Sequence, residues 1–507
     1  MSSVMKTLFL NPPSFENFDG GASSRWPATR EIESYWYPVW LTYPAGMLEG
    51  SRLLDAPPHK ISPAETIRIA TDYDFVVVFT STVGFPSDVR MARALKEAKP
   101  GVTIAFVGPP VQSQPADSLV ASPDIDFVVR GEFDHAVVEY AQGQPVDQIR
   151  NASYLQNGTV VHNPPRPLLQ TPDLDQLPFA TDIYKRDLTI EKYTVPFLLH
   201  PFVALYTARG CPARCTFCLW PQTLSGHAWR TRSVENVARE FRHAHAMFPQ
   251  AKEVFFDDDT FNIRKDRVLA LCKLLKPLGV QWSCTARVHS DDETLTAMAD
   301  AGARLLVVGF ESGAAQILKN VQKGQTLDMG RTFAQTCKQL GIKIHGDFII
   351  GLPGETPTTI QQTIQFAKEL DCETIQVSLA HAYPGTALYT WAAQRGFLAR
   401  EAAADAGGHQ LPHLEYPDLS RGEMLQAVNR FYDAYYFRPR VVWRIVREAL
   451  WDSHERARLY HEAVSFLRLR AARWKVARNG LETTPSVPGP PIATTPRPGG
   501  AGESPRA

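Results

Sequence analysis

Residues 202–218 read Phe-Val-Ala-Leu-Tyr-Thr-Ala-Arg-Gly-Cys-Pro-Ala-Arg-Cys-Thr-Phe-Cys. The apolar stretch Val203 to Thr207 reads as a strand. The loop after it carries Cys211, Cys215 and Cys218, spaced C-x3-C-x2-C. One such loop can wrap three thiolates around a single inorganic centre. A [4Fe–4S] cube usually takes four protein thiolates, so three leave one iron open to a small molecule that chelates through an amine and a carboxylate. Zinc is a second reading: a structural site wants four ligands, and His227 or Cys284 can supply the fourth, although paired C-x2-C spacings are absent. Three buried thiols with no metal is the third. The chain has 7 cysteines, an odd and sparse set that implies no disulfide framework.

Outward from this loop, strand-like and helix-like stretches alternate. After Val203 to Thr207 come Glu253 to Phe256, Gln281 to Arg287, Arg304 to Phe310, Lys343 to Ile350 and Thr374 to Leu379. Helical stretches such as Val234 to Met247, Asp292 to Ala301 and Thr358 to Leu370 separate them. Repeated βα units predict a parallel barrel, full or partial, with chemistry at the strand carboxyl ends. Upstream, Lys6 to Leu10, Asp74 to Phe79, Val102 to Val107 and Asp126 to Val129 are continuous apolar runs, each ending in small or polar residues. Such runs predict buried parallel strands, and ligands of open α/β sheets bind at those ends. The expected organisation is an α/β domain over 1–160, a Pro-rich linker over 161–195, a barrel over 196–400, a helical region over 401–478 and a Pro/Gly-rich disordered tail over 479–507.

The barrel's strand ends carry the polar residues. Asp257, Asp258 and Asp259 follow the second strand, Arg287 ends the third, Gly309-Phe310-Glu311-Ser312-Gly313 ends the fourth, and Gly351-Leu352-Pro353-Gly354-Glu355 ends the fifth. Acids there can hold an ammonium group or cap the next turn. Glu311, after an apolar run, needs a partner if buried, and Arg287 is the expected one. Gly351 permits a tight turn and close backbone approach to a ligand.

This set, in this order, resembles the radical S-adenosylmethionine (SAM) superfamily. The resemblance implies that Cys211, Cys215 and Cys218 ligate a [4Fe–4S] cluster and that the open iron holds SAM. It also implies a deoxyadenosyl radical that abstracts hydrogen, with Asp257, Asp258, Arg287, Glu311, Ser312 and Gly351 near SAM. The first domain resembles the cobalamin-binding domain that precedes many such barrels, which makes Ser81, Thr82, Gly108, Gly131 and Glu132 the candidate cobalamin contacts. The usual D-x-H-x-x-G ligand motif is absent, and Asp55-Ala-Pro-Pro-His59 has the wrong spacing, so cobalamin is expected without a histidine ligand. The fold class expected is thus α/β, a Rossmann-like cobalamin-binding-type domain followed by a partial (β/α)6 radical SAM barrel and a C-terminal helical region.

From residue 5 to about 478 the chain also resembles a hopanoid-biosynthesis-associated radical SAM family. That likeness implies ring contraction of a glucosamine-type sugar on bacteriohopanetetrol to a cyclitol ether. Its alternatives are a cobalamin-dependent radical SAM methyltransferase and, in another class, a zinc-stabilised binding protein. The implied partners are a hopanoid lipid and an electron donor such as a flavodoxin or ferredoxin.

Lys plus Arg and Asp plus Glu are 53 each, which argues against whole-protein capture of nucleic acid. Residues 421–478 differ: 13 Lys plus Arg against 6 Asp plus Glu, interleaved with Trp443, Trp451, Phe466 and Trp474. That composition suits peripheral membrane contact or packing against the barrel. No apolar run reaches the roughly 18 residues of a spanning helix. The N-terminal apolar run is too short for a signal peptide. The expected location is the cytoplasm, with peripheral contact at the inner membrane.

Overall fold

The computed structural model describes residues 4–16, 34–399 and 411–451, with position 464. The predicted tail 479–507 and most of 452–478 lie outside the described residues.

The first sheet contains β1 (Thr7–Asn11), β2 (Arg52–Asp55), β3 (Phe75–Phe79), β4 (Thr103–Val107), β5 (Phe127–Val129), β6 (Ala152–Gln156) and β7 (Thr159–His162), in the order β2-β1-β3-β4-β5-β6-β7. β1 to β5 pair in parallel, and β6 and β7 close the edge as an antiparallel hairpin. Leu8, Phe9, Leu10, Val76, Val77, Val78, Ile104 and Phe106 are fully buried because helices cover both faces, which is why these strands read as unbroken apolar runs. The order of the parallel strands is that of flavodoxin-like sheets, whose ligands bind at the β1/β3 switch point.

The second domain holds β8 (Phe202–Leu205), a short antiparallel pair β9 (Ala208–Arg209) and β10 (Arg230–Thr231), then β11 (Glu253–Phe256), β12 (Trp282–Ala286), β13 (Ala303–Glu311), β14 (Lys343–Ile350) and β15 (Thr374–Leu379). Six of these form one parallel sheet, β15-β14-β13-β12-β11-β8, with β8 and β15 as its two edges. This is the expected partial (β/α)6 barrel, open on one side. Strand ends fall within a residue or two of the sequence reading; β8 stops at Leu205 and β13 runs on to Glu311.

The Pro-rich stretch 161–195 is more than a linker. It holds the helices Thr171–Gln176 and Ala180–Asp187, and Leu169, Leu174, Tyr184 and Tyr193 enter the barrel core. Tyr184 and Tyr193 pack on Tyr37, with the Tyr37 and Tyr193 rings stacked at 4.0 Å. After residue 411 the helices Arg421–Tyr436 and Pro439–Trp451 follow. The first of them is tied to the β15 edge: the Tyr432 hydroxyl accepts from Val377 N (2.9 Å), and the Tyr436 hydroxyl donates to Ile375 O (3.3 Å). Among the described residues no helix is long and apolar enough to cross a membrane.

Candidate cluster and cofactor site

The cysteine loop hangs from the β9–β10 stem, where Arg209 is opposite Arg230 and Ala208 is opposite Thr231. Gly210 starts the loop at φ 89°, and a Cβ there would sit 2.3 Å from the Ala228 carbonyl, so no other residue fits. The Gln222 side-chain amide donates to the carbonyls of Cys215 (3.2 Å), Thr216 (3.2 Å) and Cys218 (2.7 Å), tying the loop to the helix Leu219–Thr223. The barrel grips it as well: Thr216 N donates to Val321 O (3.0 Å), and Leu388 N donates to Thr216 O (2.9 Å).

Cys211, Cys215 and Cys218 are free thiols. Burial, then the charges of Cys215, Asp259 and Cys211, push the Cys218 thiol well up, so the three groups sense one another. Cations stand beside them. Arg287 Nη1 lies 3.7 Å from Cys215 Sγ, and the Lys323 ammonium shares a field with the same sulfur. A cube of iron and sulfide gripped by three thiolates suits this donor set, because the neighbouring cations offset its negative charge. The zinc alternative does not fit. Of the two groups that could complete a zinc site, Cys284 is buried within β12, and His227 Nδ1 is 3.1 Å from the Cys211 carbonyl.

Asp257 and Asp258 part company. Asp258 Oδ1 accepts from Thr207 N (2.6 Å) and Ala208 N (3.1 Å), and its Oδ2 accepts from the Thr207 hydroxyl (2.5 Å). Burial pushes its pKa up to about 6 against those hydrogen bonds. Asp258 therefore caps the end of β8. Asp257 is buried at the end of β11. Asp259, passed over in the sequence, accepts from Gly210 N (3.1 Å) and lies near Cys211 and Cys218. Its only signal was being third in a run of acids after a strand.

Glu311 sits on a bulge of β13 at φ 64°, a backbone region that non-glycine residues seldom adopt and that re-aims the side chain. Its partner is Lys323 (2.6 Å), both side chains being buried, and not Arg287 as expected. Burial works against the Lys323 charge, and the Glu311 carboxylate and Cys215 outweigh it, so its pKa is raised. Arg287 instead faces Cys215, and its Nη2 donates to the Lys323 carbonyl. Gly309 makes room for the ion pair: a Cβ there would lie 2.2 Å from Glu311 Oε1 and 2.8 Å from Lys323 Nζ. Ser312 is committed elsewhere. It shares a hydrogen bond with Thr363 (3.1 Å) and accepts from Ala314 N (3.2 Å). Gly351 stands at φ 92° after β14, where Glu355 accepts from its N–H and Tyr416 donates to its carbonyl (2.8 Å).

In the first domain, Ser81, Gly108 and Gly131 fall just beyond β3, β4 and β5, on one edge of the sheet, with Thr82 next to Ser81. Ser81 Oγ accepts from Gly84 N (3.0 Å), and a Cβ at Gly108 would strike the Thr80 carbonyl at 2.3 Å. Gly131 is at φ 61°, and a Cβ there would have the Asn151 and Gln112 side chains nearest, each at 3.8 Å. Glu132, the remaining candidate, is buried and paired with Arg230 (2.8 Å) and Arg209 (3.4 Å) of the barrel domain. His59 binds Asp55 O (2.8 Å) through Nδ1 and accepts from Thr189 N (3.1 Å) through Nε2, so both ring nitrogens are engaged within the protein. The sheet edge and the cluster loop meet where Gly385 lies against Ser113 of the first domain and Thr223 of the loop helix.

Residues 205–367 match the Radical SAM superfamily, and residues 25–141 match the B12 binding domain. The uncharacterized methyltransferase PH0819 of Pyrococcus horikoshii is 30% identical over 462 residues, covering 88% of this chain and 95% of that protein. The anaerobic magnesium-protoporphyrin IX monomethyl ester cyclase of Rubrivivax gelatinosus is 24% identical, covering 85% of this chain and 77% of its own. Among solved structures, the cobalamin-dependent SAM radical enzyme OxsB, with aqua-cobalamin and SAM bound, shares the fold at TM-score 0.65 and 16% identity, covering 92% of this chain and 72% of that one. The chain belongs to the radical SAM superfamily, in the branch that carries a B12 binding domain. It is a radical SAM enzyme that carries a B12 binding domain, and the solved structure it resembles holds aqua-cobalamin and SAM.

Proposed function

We propose that this protein is a cobalamin-dependent radical SAM methyltransferase. The observation that carries the proposal is the loop of three free cysteines facing the carboxyl edge of a B12-type sheet. When bound, the cluster and SAM supply a hydrogen-abstracting deoxyadenosyl radical, and cobalamin supplies a transferable methyl group. The chain's own residues bind and orient. Cys211, Cys215 and Cys218 would hold the cluster. Arg287 and Lys323 offset the thiolate charge. Asp257 and Glu311, with the backbone at Gly351, line the strand ends where SAM would lie. Ser81, Thr82, Gly108 and Gly131 form the edge that would seat cobalamin. The likeness to the uncharacterized methyltransferase PH0819, over 88% of this chain, supports methyl transfer.

A second reading keeps the radical step and changes its outcome: ring contraction of a glucosamine-type sugar on a hopanoid. The resemblance of residues 5–478 to a hopanoid-associated family favours it, as does the cyclase relative, whose named activity is ring formation. The exposed Phe437, Val442, Trp443 and Val446 around the helix Pro439–Trp451 suit contact with a lipid surface. An electron donor such as a flavodoxin or ferredoxin would reduce the cluster.

The test uses anaerobically reconstituted protein with cobalamin, SAM, a reductant and a hopanoid glycoside. Methylated product with S-adenosylhomocysteine selects the first reading. Product of unchanged carbon count with deoxyadenosine selects the second. If alanine at 211, 215 and 218 left iron binding and SAM cleavage intact, both would fall.

A further inference from the structure

The β9–β10 stem is two residue pairs long, and everything between its strands, including the three cysteines, depends on it. One of those pairs sets Arg209 directly opposite Arg230. Like charges directly opposite on paired strands are destabilising. Here both guanidinium groups are also buried, at 3% side-chain exposure, where an uncompensated charge is more costly still. The barrel domain does not supply the compensation. Arg230 donates to the carbonyls of Ala228, Leu169 and Ser225, which are neutral. Among the described residues, the carboxylates paired with either arginine are Glu132 and Asp134, both from the first domain.

The match is close. Asp134 accepts from both Nη atoms of Arg209, at 2.8 and 2.9 Å, a bidentate pair. Glu132 accepts from Arg230 Nη1 at 2.8 and 3.0 Å and lies 3.4 Å from Arg209. Its second oxygen also accepts from Leu169 N (2.9 Å). Two cations and two anions make a neutral buried network. Arg209 is further seated over the Trp40 ring (4.4 Å) and beside Tyr43 (5.1 Å), again from the first domain.

We infer that Glu132 and Asp134 are positioning residues that close the base of the cysteine loop across the domain boundary. They act through Arg209 and Arg230. The same turn links the loop to the other candidate site: Gly131, at φ 61°, aims Glu132 into the stem from the end of β5. Seating of the first domain and closure of the cluster loop are thus one event. This rests on the cluster reading above.

The experiment compares full-length, anaerobically reconstituted wild type with E132Q, the double variant E132Q/D134N and the double variant E132Q/R230M. The readouts are the rate of iron release to a chelator and the electron paramagnetic resonance spectrum of the reduced cluster with and without SAM, with circular dichroism confirming the fold. Neutralising both acids should accelerate iron release at least about tenfold and alter the SAM-dependent spectral change, since it leaves two buried cations opposed. E132Q/R230M removes one charge of each sign and should return release toward the wild-type rate. Equal release and identical spectra in wild type and E132Q/D134N would overturn the inference. So would E132Q/R230M releasing iron as fast as E132Q/D134N. A wild type that bound no iron would instead overturn the cluster reading.

Discussion

Replacing Glu355 with Gln isolates one ionisation at the end of β14. The Glu355 carboxyl is buried, one oxygen accepts from Gly351 N, and Oε1 has no hydrogen-bond partner. Burial is the main cause of a rise in its pKa from 4.5 to about 8, opposed by hydrogen bonds from Gly351 and Leu352. The folded chain therefore holds a proton that the unfolded chain releases between those two values. The associated stability is fully present below the unfolded pKa and is lost as pH rises through the folded one. Each unit of difference is worth about 1.4 kcal/mol, so the loss across the interval is about 5 kcal/mol. Glutamine cannot ionise, and the other titrations are common to both proteins and cancel in the difference. Urea denaturation from about pH 5 to about pH 8 should show E355Q gaining on wild type by about 1.4 kcal/mol per pH unit. Parallel stability curves, or wild type gaining on the variant as pH rises, would refute the buried neutral carboxyl.

Three other perturbations have defined outcomes. Lys323→Met leaves the buried Glu311 carboxylate unpaired and should lower stability by about 3–5 kcal/mol, with the double variant E311Q/K323M recovering part of it in the same denaturation assay. Asp258→Asn disrupts a three-bond cap on β8 and should cost about 1–3 kcal/mol, whereas Asp257→Asn should weaken SAM binding measured by calorimetry. Gly108→Ala forces a Cβ within 2.3 Å of the Thr80 carbonyl at φ 120°, and should strip cobalamin from the protein as read by its visible absorbance.

The strands of both domains were legible because parallel strands covered on two faces carry no polar alternation, and β3 (Phe-Val-Val-Val-Phe) and β13 show this plainly. The elements that escaped are those without that signature. β2 is four residues long with Arg52 and Asp55 at its ends, and β7 lies on an exposed edge where Thr159 and His162 face solvent. In 161–195 the prolines dominated the pattern, while the signal that mattered was the spacing of Leu169, Leu174, Leu177, Tyr184 and Tyr193 between them, all of which are buried. Proline sets the turns there and the apolar residues set the packing.

The site divides the same way, by whether the information is local. Cys211, Cys215 and Cys218 were readable because a single loop holds them and their spacing is the whole signal. Pairings made by the fold were not. Glu311 has two cations within reach of its strand end, and which one it takes depends on a bulge that turns its side chain toward Lys323 and leaves Arg287 to the sulfur. Glu132 looked like a ligand residue because it follows Gly131 at a strand end, yet its partners are 77 and 98 positions away, at Arg209 and Arg230. That distance has a consequence for how the enzyme can be cut. A barrel excised from residue 196 onward keeps all three cysteines and both stem arginines, and loses the carboxylates that neutralise them. Its cluster loop would be held by a stem of two residue pairs with a buried like-charge repulsion in one of them. Such a fragment should bind iron less tightly than the full chain even though every cluster ligand is present, and supplying neutral residues at 209 and 230 should narrow that gap.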